Sequence, residues 1–418
     1  MQRLLLLLPT STYRATAFVG AARRLGIELT VASEQPSTFE ASRPADLLTL
    51  DFDDPSTAAE RVRTFARHYP VHGVAGVDDD TVVVAATVAE ALGLVGNPPA
   101  AAAAARDKHD QRRRLSQAGV PVPGFALGAL DQDPRALAPR VAYPCVVKPL
   151  RLAASRGVIR ANDPAEFAAA HERLRRILAT PDAARRGDPA RHFLIEDYVP
   201  GTEVALEGLL VGGALAVLAL FDKPDPLDGP FFEETIYVTP SRLGRGEQGA
   251  VEDVVRKAVR ALGLREGPIH AEVRLNDRGA WLIELAARPI GGRCSAVLRF
   301  VQRATGNVQR ETVSLEEIVI RHALGMELPS LERERRAAGV MMIPVPGAGV
   351  LREVRGIDGA RAVPLVEDVL VTAHPGERLV PWPEGSRYPG FIFARGETPE
   401  QVEAALRAAH RALEFELT

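Results

Sequence analysis

The first hundred residues alternate short apolar runs with amphipathic stretches. Leu4–Leu8 reads as a buried strand, followed by a helix over Thr16–Leu25 that stops at Gly26. Ile27–Ala32 and Val71–Val77 read as further strands, Pro55–Tyr69 contains a helix, and Asp80–Leu92 is a helix ended by Gly93. Apolar strands separated by amphipathic helices predict a parallel α/β layer. Asn97-Pro98-Pro99 breaks the chain and starts a helix through Lys108 to Leu115.

From about Val141 the grammar changes. Tyr143–Lys148 is a strand; Asp163 as N-cap and Pro164 in the first turn open a helix to Leu178. Thr180–Arg191 is polar and is expected to be a mobile surface loop. Strands follow at Phe193–Tyr198, Glu203–Val211 and Leu215–Phe221, with Gly212-Gly213 as a hairpin turn. Helices are expected at Val251–Leu262 and Ser314–Leu324, then a charged connection over Leu328–Ala338. The remainder mixes strands with a closing helix at Pro399–Leu413. Strand runs followed by helices predict an α+β unit behind the α/β start.

With 418 residues, the chain exceeds one core, since domains run to roughly 100–200 residues. Its 51 basic and 54 acidic residues are mixed along the chain, for a net charge of −3. That balance gives no general pull towards nucleic acid or an acidic membrane. Arg112-Arg113-Arg114 and Arg333-Glu334-Arg335-Arg336 read as solvated helix faces. Cys145 and Cys294 are too few for a disulfide framework or structural zinc, which points to a reducing compartment, the cytoplasm. No apolar run approaches the ~18 residues of a membrane span.

The most informative stretch is a hairpin. Ile269–Leu275 and Ala280–Leu285 alternate in polarity around Asn276-Asp277-Arg278-Gly279. A turn centred on Arg278 pairs Val273 with Ile283 and Leu275 with Trp281, and it sets Glu272 opposite Glu284. Like charges directly opposed destabilise a sheet by up to ~1 kcal/mol. A divalent ion held between them removes that cost, and an oxygen-only set favours magnesium. A solvated face with Arg274 relieving the repulsion is the other reading, and the hairpin alone leaves both open. Arg288 shares the parity of the glutamates, where a fixed cation would stabilise a transferring phosphoryl group. His270 lies on the same face and is a candidate to orient a substrate or accept a proton, beside a purely structural role.

Lys148 ends an apolar strand and precedes Ala153-Ala154-Ser155-Arg156-Gly157, small residues that let backbone N–H groups approach phosphate oxygens. No GxxxxGK[ST] or GxGxxG pattern is present, which sets aside a P-loop and weakens a dehydrogenase. Glu196-Asp197-Tyr198-Val199-Pro200-Gly201-Thr202-Glu203 places a strand end and turn where backbone groups could meet an adenine edge and Glu203 a ribose.

In this order the segments resemble the ATP-grasp superfamily across nearly the whole chain. The resemblance makes Lys108, ahead of Gly119-Val120-Pro121-Val122-Pro123, the first phosphate-contacting lysine, and Lys148 the second. Ser155 to Val158, with Gly157, corresponds to the loop over the phosphates. Glu196, Tyr198 and Val199 correspond to the adenine hinge, and Glu203 to the ribose-binding acid. Glu272 and Glu284 correspond to the metal ligands, and Arg288 to the arginine near the γ-phosphate. Phe221-Asp222-Lys223-Pro224-Asp225-Pro226, Glu233-Glu234-Thr235, Ala287-Arg288-Pro289-Ile290-Gly291-Gly292 and the tail from Gly339 to Ala394 resemble the L-amino-acid ligases within it. Lys223, Gly291 and Gly292 are thereby candidates for substrate contacts, beside His270.

The fold implied is an α/β and α+β ATP-grasp fold: residues 1–97 an N-terminal parallel α/β domain, 98–330 the ATP-grasp domain with a lid at about 141–205, and 331–418 a C-terminal α+β domain. The activity implied is an ADP-forming carboxylate–amine ligase working through an acyl phosphate. Its cofactors are ATP and Mg2+, with Mn2+ as an alternative, and its partners are a small carboxylate and an amine. No nucleic acid or membrane is implied, and a homodimer is an assembly such enzymes often form. Use of bicarbonate or a non-amino-acid carboxylate, and nucleotide binding without catalysis, are the alternatives. The family's usual Asn two residues after the second glutamate is Ala286 here, which offers no side-chain oxygen.

Overall fold

The computed structural model describes residues 1–185, 187–302 and 312–418. The N-terminal strands Arg3–Leu7, Glu28–Ser33, Leu47–Thr49 and Gly73–Gly76 form an all-parallel sheet. Arg3–Leu7 is buried throughout because it lies inside the sheet. Helices Ala15–Arg24, Pro55–Ala66 and Val82–Leu92 follow their strands as the alternation predicts. The short strand Leu47–Thr49 lacks enough apolar residues to announce itself.

One expected helix is two. Pro99–Arg106 and Lys108–Gln117 are separated at Asp107, whose extended backbone breaks the first. The Asp107 carboxylate then accepts from the N–H groups of His109 and Asp110 and caps the second. Thr180–Arg191 is also more ordered than a loop: Pro181–Ala184 and Asp188–Arg191 each make a short helical turn. Arg186 lies outside the described residues. Residues 333–336 are bridge and bend rather than helix, and the strand Ala337–Met342 begins inside the expected charged connection.

The expected lid segment, about 141–205, supplies three strands of an antiparallel sheet ordered Phe125–Ala129, His192–Asp197, Cys145–Pro149 and Ile159–Ala161. Helix Pro164–Leu178 covers it, burying Phe167, Leu174 and Ile177 against Val147 and Phe193. Asp163 caps that helix by accepting from the N–H groups of Ala165 and Glu166.

An eight-stranded antiparallel sheet forms the centre. Its order is Gly279–Ala286, Gly267–Asn276, Thr202–Val211, Ala214–Asp222, Ile236–Thr239, Ala337–Met342, Gly390–Gly396 and Val366–Val371. The sheet runs without interruption across residue 331, because Ile236–Thr239 pairs with Ala338–Met341. Helix Arg245–Leu262 packs its Val251, Val255 and Leu262 on one end, and Pro399–Arg411 packs Val402 and Leu406 on the other.

The N-terminal sheet is pressed onto this body through helix Leu315–Ala323. A Cβ built on Gly73 would stand 2.4 Å from the carbonyl oxygen of Ala323. Gly73→Ala should therefore push the parallel sheet off the helix and cost about 1–3 kcal/mol. Urea unfolding would read this as a lowered midpoint; an unchanged midpoint would show the contact to be slack.

Candidate active site

The carboxylate hairpin sets the geometry. Its turn is tighter than a centre on Arg278, so Val273 faces Leu282 and Leu275 faces Ala280, in place of the expected Ile283 and Trp281. A bulge at Ile283 then resets the register and brings Glu272 directly opposite Glu284. The bulge turns the Ile283 carbonyl to the Arg112 guanidinium, which donates to it.

The repulsion between these carboxylates is not relieved by Arg274. That arginine is buried and donates to Glu203 Oε2 at 2.7 Å and to the Val199 carbonyl at 2.8 Å. Lys108 Nζ lies 3.0 Å from Glu284 Oε1, and Lys223 Nζ lies 3.1 Å from Glu272 Oε1. Lys223 also meets Glu203 at 2.7 Å and Glu234 at 2.6 Å. Glu203, Glu234 and Glu272 have the chemistry and closeness of a metal cluster, but the Lys223 ammonium already fills their centre. Burial works against the Lys223 charge, yet the surrounding carboxylates outweigh it and hold its pKa well above the ordinary lysine value. Glu234, desolvated and facing Glu272, is pushed up to about 7 despite Lys223.

Lys148, next to last in its strand, is buried 2.6 Å from Glu196 Oε2. Glu196 Oε1 accepts from Arg112 Nε at 2.5 Å. Arg112 is thus a buried member of an ion triad and not the solvated helix face its neighbours suggest; it is 2 % exposed. Its spacing was the available signal, since Lys108, Arg112 and Leu115 share one helix face. Burial would raise the Glu196 carboxyl, but Arg112 and Lys148 override it and hold it below the usual carboxylate range.

Arg288 reaches across to the N-terminal domain, with Nε 3.0 Å from Asp79 Oδ2. Burial opposes its charge, but Asp79 and Asp78 hold the guanidinium firmly protonated. No local pattern points to Asp79, because the partners lie about half the chain apart. Ala154 and Ser155 both sit at φ +54°, a left-handed backbone that costs non-glycine residues on the order of 1 kcal/mol or more.

These groups line one cavity. Lys108, Lys148, Ser155, Glu196, Tyr198, Val199 and Glu203 border it, as do His270, Glu272, Glu284, Arg288, Gly291 and Gly292. Gly157 stands beside its Ser155 wall, and Lys223 is behind Glu234 and Glu272. Two expected ligand-facing carboxylates, Glu196 and Glu203, have both oxygens engaged by cations, so their side chains fix neighbouring groups. Ala286 also lines the cavity, opposite His270 in the ladder. Tyr13, Tyr388, Phe391 and Met342 add an apolar wall drawn from the N- and C-terminal parts.

Three family descriptions match in chain order: ATP-grasp N-terminal domain over residues 19–96, ATP-grasp domain over 141–297 and L-amino acid ligase C-terminal domain 2 over 341–418. The crystal structure of an L-amino acid ligase from Bacillus licheniformis superposes with a TM-score of 0.79 at 27% identity, covering 100% of this chain and 99% of that one. The chain carries an ATP-grasp domain between an ATP-grasp N-terminal domain and an L-amino acid ligase C-terminal domain, and is L-amino-acid-ligase-like. Alanine–anticapsin ligase of Bacillus subtilis is 30% identical over 256 residues, covering 58% of this ATP-grasp chain and 53% of the relative. Carnosine synthase 1 of Gallus gallus is 29% identical over 348 residues, covering 79% of this chain and 36% of the relative. The match thus spans about half the length of the first relative and about a third of the second. Among the described residues, no helix of this ATP-grasp protein is long and apolar enough to cross a membrane.

The Glu196 triad generates a test. Glu196→Gln leaves Arg112 and Lys148 buried without their shared counter-charge and should destabilise the fold by about 3–5 kcal/mol. Glu196 is a stronger acid folded than unfolded. Its contribution is therefore complete above the ordinary carboxylate pKa and is lost as pH falls through the depressed folded value. A plot of melting temperature against pH should flatten on its acid side in the variant; an unchanged acid limb would remove Glu196 from the account.

Proposed function

We propose that this ATP-grasp protein joins a small carboxylate to the nitrogen of an amine, with conversion of ATP to ADP and phosphate. The observation that carries this reading is the facing of Glu272 and Glu284 across one cavity wall, with Lys108, Lys148 and Arg288 around the same space.

Glu272 and Glu284 suit magnesium: both are carboxylates on one face of adjacent strands, each near a lysine that limits their repulsion. Magnesium held there would screen the phosphate oxygens; manganese fits the same oxygen set. Lys108 and Lys148 add positive charge where the triphosphate lies, and the backbone of Ala154–Gly157 covers it. Tyr198 and Val199 border the adenine. The substrate carboxylate oxygen attacks the γ-phosphorus, the bond to the β-phosphate oxygen breaks, and ADP leaves. Arg288, fixed by Asp79, stabilises the charge on the transferring phosphoryl group. The amine nitrogen then attacks the acyl carbon, phosphate departs with the bonding pair, and the nitrogen loses a proton to solvent or a neighbouring base.

The likeness to L-amino-acid ligases favours amino acids as carboxylate donors. The apolar wall of Tyr13, Tyr388, Phe391 and Met342 supplies room for an uncharged side chain.

Hydroxylamine intercepts an acyl phosphate as a hydroxamate, which ferric iron makes visible. With ATP, magnesium and a panel of amino acids, the protein should form hydroxamate and ADP in equal amounts. Glu284→Gln should lower that rate about a hundredfold or more, the scale of losing a preorganised charge-stabilising group. Turnover at the native rate in the variant would refute the metal assignment, and ADP without hydroxamate on every carboxylate would refute the acyl phosphate.

A further inference from the structure

The backbone loop Ala153–Gly157 is held from outside its own sheet. Trp382, in the C-terminal part of the chain, donates its indole N–H to the Ala154 carbonyl at 2.7 Å. The next residue, Pro383, offers its carbonyl to the Gly157 N–H at 2.9 Å. Glu384 then makes a bidentate pair with Arg173 on the lid helix, at 2.6 and 2.7 Å. Three consecutive residues of one domain thus grip the loop and the helix behind it. The hydrogen bonds fall at both ends of the segment that carries the left-handed Ala154 and Ser155.

Trp382 is 4 % exposed and packs in a small core with Val345, Leu351 and Leu379. Its ring also lies 4.7 Å from that of Tyr388, which lines the cavity. Core packing alone would be served by any large ring. The indole donor aimed at a strained loop carbonyl is what packing does not explain.

We infer that Trp382 is a positioning residue for the nucleotide: its N–H holds the loop in the conformation that meets the terminal phosphates of ATP. This rests on the reading of the cavity as an ATP site and adds a contribution from the C-terminal domain to it. On that reading the loop covers the terminal phosphates, so the effect of Trp382 is confined to ligands that carry them. A nucleoside monophosphate, which ends short of the loop, is indifferent to it.

Trp382→Phe keeps a ring on Tyr388 and removes the donor. Calorimetric titration of the full chain with ATP and with AMP, each with magnesium, reads the difference. The expected result is a roughly tenfold loss of ATP affinity, the scale of one hydrogen bond, with AMP affinity unchanged. Trypsin should also cut after Arg151 or Arg156 faster in the variant, while its melting temperature stays near that of the native chain. Equal losses for ATP and AMP would show a general structural role and overturn the inference, as would native affinity for both with native cleavage. Wild-type protein that binds no ATP would instead overturn the ATP reading itself. Arg173→Gln, which loosens the same grip without touching the core, should give the same pattern in weaker form; AMP affinity falling with ATP would count against it.

Discussion

Two carboxylates forced face to face across a hairpin are the constraint around which the site is arranged. Their repulsion has to be balanced by charge brought from elsewhere, and the fold brings it from separate elements. Lys108 arrives on a helix that follows the N-terminal domain, and Lys223 arrives just after the strand Ala214–Asp222. Each lysine in turn draws in further groups: Leu152 offers a carbonyl to Lys108, and Glu203 and Glu234 crowd Lys223. Balance at the hairpin therefore ties the helix of Lys108, the loop of Leu152 and the central sheet together around one cavity.

The same logic is repeated nearby at smaller scale. Glu196 balances Lys148 of its own sheet and Arg112 of the helix Lys108–Gln117, and Arg288 balances Asp79 between domains. Buried ions are costly unless paired and hydrogen-bonded. A site that must accept a polyanion needs a surplus of cations nevertheless. Carboxylate partners for these cations, three around Lys223 and one shared by Arg112 and Lys148, keep the cavity wall from accumulating uncompensated charge.

The strand and helix order of the N-terminal domain was legible because buried parallel strands write themselves as unbroken apolar runs. The facing of Glu272 and Glu284 was legible from alternation, although the route to it was not. The tighter turn and the bulge at Ile283 shift the register in opposite directions, and their effects cancel at Glu272. Bulges leave little mark in composition, so Val273 and Leu275 were assigned the wrong partners. Arg112 was hidden by the exposed Arg113 and the half-buried Arg114, and a run of like residues masks the one that turns fully inward. Asp107 broke a helix that propensity would have continued. Trp382 and Asp79 were illegible for a different reason: their partners are distant in sequence, and no local pattern encodes a contact between domains.

The continuous central sheet bears on how the chain can be divided. Its middle strands, Ile236–Thr239 and Ala337–Met342, belong to different segments and zip together through their backbones. A fragment ending near residue 331 would leave Ile236–Thr239 with one bare edge, an invitation to pair with another molecule. The C-terminal segment is in this sense a structural completion of the catalytic body, and swapping it between relatives would mean matching a β-ladder as well as a linker.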